Sequence, residues 1–380
     1  MFFSGKKGLL TIIILILGTV AENGLSRLGM GLHVERHVSG RRHTMTEYIR
    51  ARAPLRIGLA GGGTDVDPYA SAKGGCVFNT TINKYAYCTL VPRNDNIMSV
   101  KSRYYGRYKA NLKKGPLKLD GNMDLIKAVA NYFELDQGFN IDIHSDVPAG
   151  SGLGGSSTMI VAIIAAVAEW IGKDLTKYEM ADLAYRLERE DIGLKGGKQD
   201  QYAAAFGGFN LLDVKKKVTV NPINIDKDII NELQCRSAMC FTGLSRDSAK
   251  IIDTQIKTYN SGQNIDALNE SKKLAKKMSE EVQKGDIDSA GELLEQLWQY
   301  KKQFSTSITN RSINSLYNGA KSKGAIGGKV SGAGGGGFMY FICKYDKKPD
   351  VVQELSKRGA AVTDFMFEPE GVITWRSSYE

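Results

Sequence analysis

The sequence predicts an α+β protein of two domains that follow an N-terminal leader. Its 380 residues are enough for two domains with a substantial core. In the first half, short alternating stretches typical of strands are separated by glycine-rich turns and by one long apolar helix beginning near Met159. The pattern changes near 213–220, after which helical stretches dominate. We therefore expect a leader, an N-terminal domain and a C-terminal domain over residues 1–44, 45–215 and 216–380.

The leader differs from the rest of the chain. Lys6 and Lys7 precede an apolar run of about nine residues, which has the shape of a secretory signal. That run is short for a membrane span, which needs about 20 residues. Met45 directly precedes the first convincing strand. We therefore expect translation to begin at Met45, with residues 1–44 as read-through of upstream sequence. A signal peptide is the alternative.

The overall charge favours anionic small molecules as ligands. The formal net charge is +10, of which residues 1–44 contribute +4 and the rest +6. We find no nucleic-acid motif such as a zinc finger, so we expect no nucleic-acid partner. The five cysteines are scattered, which indicates free thiols in a reducing compartment. Beyond residue 44 the only histidine is His144, which leaves little material for a histidine metal site or a Ser-His-Asp triad.

The first strand of the body, Arg50–Ala60, leads directly into the glycine-rich segment 61–65. Glycines after a strand let the backbone lie against a ligand. Because Pro68 follows and no regular helix does, the segment is a poor dinucleotide fingerprint.

The segment 146–158 joins an alternating strand, Phe139–Ser145, to the apolar helix. It contains four glycines and three serines, which are Gly150, Gly152, Gly154, Gly155, Ser151, Ser156 and Ser157. Glycines let backbone N–H groups turn inward, and a helix start carries free N–H groups with a partial positive charge. Together these features predict a phosphate site. The spacing matches neither the P-loop nor the dinucleotide fingerprint. A plain turn with serine caps is the alternative.

Later segments carry further candidate groups. A helix predicted from Thr176, with Glu179 completing a capping box, ends in the acidic run 188–191. Asp200 follows at a loop-to-helix junction, where an aspartate is often only an N-cap. The glycine-rich run 332–337 has the composition of a linker. However, an apolar β-rich stretch follows it directly, and linkers do not lead into buried strands.

Three of these segments resemble the motifs of the GHMP kinases, the superfamily of galactokinase, homoserine kinase and mevalonate kinase. Pro148–Ser157 is similar to P-x-x-x-G-L-G-[ST]-S-[SA], Pro54–Asp65 to P-G-R-[IV]-N-[LI]-x-G-x-x-T-D, and Lys329–Gly337 to K-x-[ST]-G-A-G-G-G-G. The Asn, Glu and His of galactokinase are replaced by Gly58, Gly62 and Gly63, which argues against galactose as the substrate. The first segment instead resembles the form in D-glycero-D-manno-heptose 7-phosphate kinases and in the kinase part of bacterial L-fucokinases.

The resemblance implies a two-domain GHMP kinase fold, with an N-terminal mixed-sheet ATP-binding domain and a C-terminal ferredoxin-like α/β sandwich. It also implies phosphate transfer from ATP, with Mg²⁺, to the anomeric hydroxyl of D-glycero-D-manno-heptose 7-phosphate. The 1,7-bisphosphate product would serve the synthesis of nucleotide-activated heptose and surface polysaccharide. Such an ATP-using enzyme is expected in the cytoplasm, without stable membrane association.

The same resemblance assigns roles to particular residues. Asp200 would act as the base and Arg56 would lie near the transferring phosphoryl group, with an N-cap and an ion-paired strand residue as the respective alternatives. Mg²⁺ would bind Ser156 and Glu188, with Glu190 as the alternative to Glu188. The ATP phosphates would contact Pro148, Gly150, Ser151, Gly152, Leu153, Gly154, Gly155, Ser156 and Ser157. The acceptor would contact Gly62, Gly63, Thr64, Asp65, Gly332 and Gly334.

Three other functions stay open from the sequence. One is an L-fucokinase-like or other sugar 1-kinase. Another is a non-catalytic regulator that binds sugar and ATP on the same fold, against which the presence of Glu188 and Asp200 speaks. The third is a dinucleotide-dependent enzyme, which the glycine spacing disfavours. The expected partners are a sugar phosphate and ATP, and a homodimer is an open expectation.

Overall fold

Two β-sheets frame the part of the chain that the computed structural model describes, which is residues 46–103, 106–245 and 248–379. The predicted leader and the proposed start at Met45 lie outside these residues. The strands are β1 (Thr46–Ala60), β2 (Gly75–Pro92), β3 (Ile97–Ser102), β4 (Gly106–Asn111), β5 (Phe139–Ser145), β6 (Phe209–Val214), β7 (Val218–Pro222), β8 (Ser237–Phe241), β9 (Ala325–Val330), β10 (Phe338–Cys343), β11 (Ala361–Val362) and β12 (Ile373–Tyr379).

The helices lie between these strands in chain order. They are α1 (Tyr69–Lys73), α2 (Asp124–Tyr132), α3 (Gly155–Ile171), α4 (Lys177–Tyr185), α5 (Gln199–Phe206), α6 (Lys227–Arg236), α7 (Ser248–Asn260), α8 (Ile265–Lys284), α9 (Ile287–Lys301), α10 (Arg311–Ser322) and α11 (Lys348–Lys357). A 3₁₀ turn, Leu112–Lys114, follows β4, and a π-helical turn, Arg186–Asp191, continues α4. In the part of the chain that the structure describes, no helix combines the length and the apolar character needed to cross a membrane.

The larger sheet has eight strands and mixed pairing. Its main path runs β12-β1-β2-β5-β3-β4, with β6 paired to β2 and β7 paired to β6. The pair β3–β5 is parallel, whereas the other pairs are antiparallel. Helix α3 is buried from Ser157 to Ala168 and packs on β1 and β2, as expected for a helix that is apolar on all sides. This arrangement places the start of α3 beside the end of β5.

The smaller sheet is antiparallel and has the order β11-β8-β10-β9. Helices α9, α10 and α11 pack against it. Helix α8 packs on α9 and also on β1 and β2, so one continuous core joins both sheets through Leu55, Phe78, Met278, Leu294 and Tyr340. These two sheets with their helices confirm the predicted mixed sheet and α/β sandwich.

The sheets divide the chain differently from the predicted domain bounds. Strand β7 lies beyond residue 215, and β12 lies near the C terminus, yet both belong to the larger sheet. Strand β12 pairs with β1 over its whole length, from Ile373 opposite Arg52 to Tyr379 opposite Thr46. The split into 45–215 and 216–380 stays a prediction, whereas the sheet membership of these two strands was not foreseen.

Local predictions were accurate where short-range signals are strong. The capping box of Thr176 and Glu179 is present, with the Thr176 hydroxyl accepting a hydrogen bond from Glu179 N at 3.2 Å. The same helix was predicted to continue to Glu190, but it changes to the π-helical turn after Tyr185. Such turns insert one extra residue and are frequent at functional sites. Here the turn directs Glu188 inward and leaves Glu190 exposed.

Candidate active site

One cavity of about 690 Å³ brings the three glycine-rich segments together. It lies where the turn after β1, the start of α3, the loop before α5 and the turn between β9 and β10 meet. The predicted site residues that line it are Arg56, Gly62, Gly63, Asp65, Pro148, Gly150, Ser151, Gly152, Gly154, Gly155, Ser156, Ser157, Glu188, Asp200 and Gly332. The first and the last of these residues, Arg56 and Gly332, are more than 250 positions apart in the sequence, so only the tertiary fold brings them together.

Three predicted site residues lie behind the cavity wall instead. Thr64 is buried, and its hydroxyl donates a hydrogen bond to Gly61 O at 2.7 Å and accepts one from Cys76 N at 3.1 Å. Leu153 packs in the core that joins the two sheets. Gly334 faces Ile308, which an added Cβ would meet at 3.0 Å. These three residues support the glycine-rich segments and do not line the cavity.

The start of α3 opens into the cavity without a side-chain cap. Its N-cap residue, Gly154, has a left-handed backbone (φ 81°) and accepts no helix N–H through a side chain. Gly152 is also left-handed (φ 79°), and a Cβ there would lie only 2.6 Å from Ser331 O. An uncapped helix start with free N–H groups is suited to binding an anion. The geometry therefore supports the phosphate interpretation over the alternative of serine caps.

Arg56 and Asp200 form an ion pair in the wall of the cavity. Both Nε and Nη2 of Arg56 lie 2.7 Å from Asp200 Oδ1. Nη1 donates to Gly152 O at 2.7 Å and to Ser331 Oγ at 3.3 Å, so this side chain ties the second glycine-rich segment to the third. The Arg56 side chain is 4% exposed and the Asp200 side chain 18%, which leaves the carboxylate accessible from the cavity.

Asp200 has a role beyond capping α5. The N-cap of that helix is Lys198, so Asp200 lies within its first turn. A Cβ added to Gly154 would lie 3.3 Å from Asp200 Oδ2, which places the carboxylate directly against the start of α3. The N-cap alternative for Asp200 is therefore wrong. Arg56 forms the ion pair that was its alternative role, and it also lines the cavity.

Glu188 collects hydrogen bonds from three other side chains. It is fully buried and accepts from Ser156 Oγ at 2.5 Å, Ser157 Oγ at 2.6 Å and Gln201 Nε2 at 2.7 Å. Arg189 Nη2 lies 3.4 Å from the same carboxylate. A carboxylate and a hydroxyl are hard oxygen donors of the kind that Mg²⁺ prefers. Among the described residues no group of three or more His, Cys, Asp or Glu could hold a metal ion, so a metal here would need further oxygens from a ligand.

Asp65 lines the same cavity and is held by Gln199. Its carboxylate accepts from Gly63 N at 3.0 Å, from Gln199 N at 3.1 Å and from Gln199 Nε2 at 3.2 Å. Burial raises the pKa of Asp65, and the neighbouring Asp200 carboxylate raises it further. A Cβ at Gly197 would lie 2.0 Å from Asp65 Oδ2, so that position needs glycine.

Several lining residues were not predicted to act in the site. Gln199 and Gln201 flank Asp200 in sequence, but only the structure shows that their amides hold Asp65 and Glu188. Lys301 reaches the cavity from the end of α9. It lies three and four residues after Trp298 and Leu297, so it continues the apolar face of that helix, and this spacing is the sequence signal that could have marked it as buried. The cavity also has apolar lining residues, which are Met123, Ile143, Val147, Met159 and Ile192.

Two family models match one segment in each half of the chain. The family described as GHMP kinases N terminal domain matches residues 124–208, and GHMP kinases C terminal matches residues 278–361. The first range contains the start of α3, Glu188 and Asp200. The second contains Lys301 and the glycine-rich turn between β9 and β10.

Individual relatives agree with these matches. The D-glycero-alpha-D-manno-heptose 7-phosphate kinase of Campylobacter jejuni subsp. jejuni serotype O:2 is 40% identical over 335 residues, covering 86% of this chain and 99% of that protein. The crystal structure of a D-glycero-D-manno-heptose 1-phosphate kinase from Bacteroides thetaiotaomicron has 36% identity and a TM-score of 0.72, covering 87% of this chain and 100% of that one. The L-fucokinase/L-fucose-1-P guanylyltransferase of Bacteroides fragilis is 26% identical over 332 residues, covering 78% of this chain but 35% of that protein.

Proposed function

The chain belongs to the GHMP kinase family, and from this premise we propose that it phosphorylates the anomeric hydroxyl of D-glycero-D-manno-heptose 7-phosphate. The phosphoryl group comes from ATP, and the product is the 1,7-bisphosphate. The single observation that carries the reaction type is the Arg56–Asp200 pair, which lies against the uncapped start of α3. The name of the 40% identical relative supports the choice of acceptor.

Phosphoryl transfer depends on positioning and on neutralising charge more than on covalent chemistry. The N–H groups at the start of α3 bind the ATP phosphates, because they are free and the helix end carries partial positive charge. Asp200 orients the acceptor hydroxyl and takes its proton, with the carboxylate oxygen not held by Arg56 facing the acceptor. Arg56 offsets negative charge that develops on the transferring group.

The acceptor lies between Asp65 and the third glycine-rich segment. A carboxylate offers several acceptor positions to neighbouring sugar hydroxyls, and Gln199 holds this one in a fixed orientation. Gly62, Gly63 and Gly332 line the cavity at this end. Gly63 lets Phe304 and Gln255 pack against its backbone, since a Cβ there would lie 3.0 Å from the Phe304 ring and 3.1 Å from Gln255 Nε2.

Ser156 and Glu188 would hold Mg²⁺. They fit the ion because both offer hard oxygens and because the Ser156 hydroxyl faces the cavity next to the phosphate-binding helix start. When bound, the ion supplies positive charge to the phosphate oxygens. Gln201 and Arg189 keep the Glu188 carboxylate oriented towards the serines. The exposed Glu190 is the less suitable of the two candidates.

The names of the relatives differ on which phosphate the acceptor already carries. One names a heptose 7-phosphate kinase and the other a heptose 1-phosphate kinase. Both reactions give the same 1,7-bisphosphate, so the product alone does not separate them. The identity of the acceptor must therefore be tested directly.

The test is ADP release by the full chain with Mg-ATP across a sugar panel. The panel contains heptose 7-phosphate, heptose 1-phosphate, free heptose, L-fucose, galactose and mevalonate. We expect turnover of heptose 7-phosphate, with ³¹P NMR showing a new phosphate on the anomeric carbon. Turnover of heptose 1-phosphate or L-fucose instead would keep the reaction type and overturn the acceptor. ATP binding without turnover of any sugar would favour the non-catalytic regulator.

Two accompanying expectations need their own measurements. A cytoplasmic location follows from the use of ATP, and determination of the N-terminal peptide of the native protein checks it together with the start at Met45. A homodimer is tested by analytical ultracentrifugation. The downstream use of the product in nucleotide-activated heptose synthesis rests on the acceptor being the 7-phosphate.

A further inference from the structure

Lys301 is a buried lysine in the wall of the cavity, and no step described above uses it. It is the last residue of α9, and it lines the cavity beside Phe304 and Gly332. Its Nζ donates to Val330 O at 2.9 Å and to Gly332 O at 2.5 Å. An ammonium group has three N–H donors, so these two carbonyls leave one donor over.

The charges around Lys301 do not balance it. Among the residues that the structure describes, no carboxylate lies within 4 Å of its Nζ. Arg56 and Lys329 add positive charge from β1 and β9, and Asp65 is the one acidic group that acts on Lys301 in the opposite sense. Burial and the proximity of Arg56 lower the pKa of Lys301 to about 7.

The neighbouring lysine shows what a purely structural role looks like. Lys329 donates to Leu59 O at 3.0 Å and does not line the cavity. Both lysines have an N–H donor left over, but only Lys301 lines the cavity, so a ligand can reach its donor. A buried cation without an anionic partner destabilises a fold, and such groups cluster where a ligand supplies the missing partner.

We propose that Lys301 is an acceptor-binding residue whose third N–H donates to an oxygen of the sugar phosphate between Asp65 and Gly332. This inference rests on the proposed kinase function. Asp65 accepts hydrogen bonds from the sugar substrate, and Lys301 donates one to it. The two side chains together therefore recognise a hydrogen-bond donor and a hydrogen-bond acceptor on the same substrate molecule. The unbalanced positive charge of this wall also favours a phosphorylated sugar over a free one.

The test compares Lys301→Met with Lys302→Met in the full chain. Lys302 is the next residue, lies over the Trp298 ring and is not part of the cavity wall, so it controls for loss of one lysine at the end of α9. We expect Lys301→Met to raise the KM for the acceptor about ten- to a hundredfold, as for loss of a charged hydrogen-bond donor. The KM for ATP should change less than about threefold, and Lys302→Met should change neither.

A structural role predicts a different result. If Lys301 only ties α9 to the turn after β9, Lys301→Met should raise the KM for both substrates, lower kcat and reduce the melting temperature together. An unchanged KM for the acceptor, or an equal rise in both KM values, overturns the proposal. If the wild-type protein turns over none of the sugars, the proposed function itself fails. The wild-type assay therefore distinguishes failure of the proposed function from failure of the role proposed for Lys301.

A measurement on the wild-type protein covers the case in which Lys301→Met does not fold. The charged form of Lys301 donates to the acceptor, and Arg56, Asp65 and Lys329 are the charged groups that face it. Because the charged form is lost as pH rises through about 7, the acceptor KM should increase above that pH. The KM for ATP should not follow it. A flat acceptor KM between pH 6 and 9 would overturn the proposal.

Discussion

Replacing Glu188 by Gln tests the metal site most directly. The carboxylate is fully buried and accepts three hydrogen bonds of 2.5–2.7 Å, from Ser156, Ser157 and Gln201. Glutamine keeps the size but loses the charge, and its NH₂ group only donates, so it cannot accept the hydrogen bonds that one carboxylate oxygen of Glu188 now accepts. A hydrogen bond to a charged group contributes about 1.5–3 kcal/mol, which is a factor of about ten to a hundred.

We therefore expect Glu188→Gln to raise the Mg²⁺ concentration needed for half-maximal ADP release by about ten- to a hundredfold. Titration of Mg²⁺ at fixed ATP and acceptor measures this value. Glu190→Gln is the matched control, since the same change is made two residues away on the same π-helical turn at an exposed position. A large shift for Glu190→Gln with none for Glu188→Gln would refute the reasoning and transfer the metal role to Glu190.

Three further substitutions test other parts of the site. Asp200→Asn should lower kcat by a factor of about 10²–10⁴, or roughly 3–5 kcal/mol of barrier, with a nearly unchanged KM for ATP. The reason is that the amide oxygen keeps a hydrogen bond to Arg56 but the amide takes up no proton. Steady-state rates measure the change, and retention of a tenth of wild-type kcat would exclude Asp200 as the base. Gly152→Ala should lower the melting temperature and raise the KM for ATP. The left-handed backbone costs alanine about 1–2 kcal/mol, and the new Cβ would lie 2.6 Å from Ser331 O. An unchanged KM for ATP would contradict this prediction. Asp65→Asn should lower kcat/KM for the acceptor at every pH and remove the contribution of Asp65 to the acid limb of its pH profile, whereas the contribution of the base Asp200 stays. Activity needs ionised Asp65, whose pKa is raised by burial, so in the wild type this limb lies above the range of an ordinary aspartate; a pH profile identical in both proteins would count against it.

The sequence by itself predicted a phosphate site at the segment 146–158 because the signals it rests on are local. Glycines with positive φ, an apolar helix directly after them and serines at the junction act over about a dozen residues, and the structure contains all of them. The capping box at Thr176 is local in the same sense. The Pro54–Asp65 and Lys329–Gly337 segments were found through resemblance, which depends on residue order and not on folding.

Only the tertiary structure decided which side chains complete the site. The resemblance favoured Glu188 as the metal ligand and kept Glu190 as the alternative. Only the π-helical turn, which has no reliable sequence signal, shows that Glu188 is buried and Glu190 is exposed. The return of β12 to pair with β1 depends on contacts between residues more than 300 positions apart. The exclusion of Thr64 from the cavity arises because its hydroxyl is satisfied by backbone groups of its own turn and of β2.

Lys301 illustrates the same limit from the opposite direction. In sequence it ends an amphipathic helix and precedes a second lysine, but its spacing from Leu297 and Trp298 places it on the apolar face of that helix. In the fold, the carbonyls of Val330 and Gly332 hold its ammonium group in the cavity wall. This spacing along α9 indicates burial, whereas the donor count and the neighbouring charges are properties of the assembled environment that periodicity along one helix does not show.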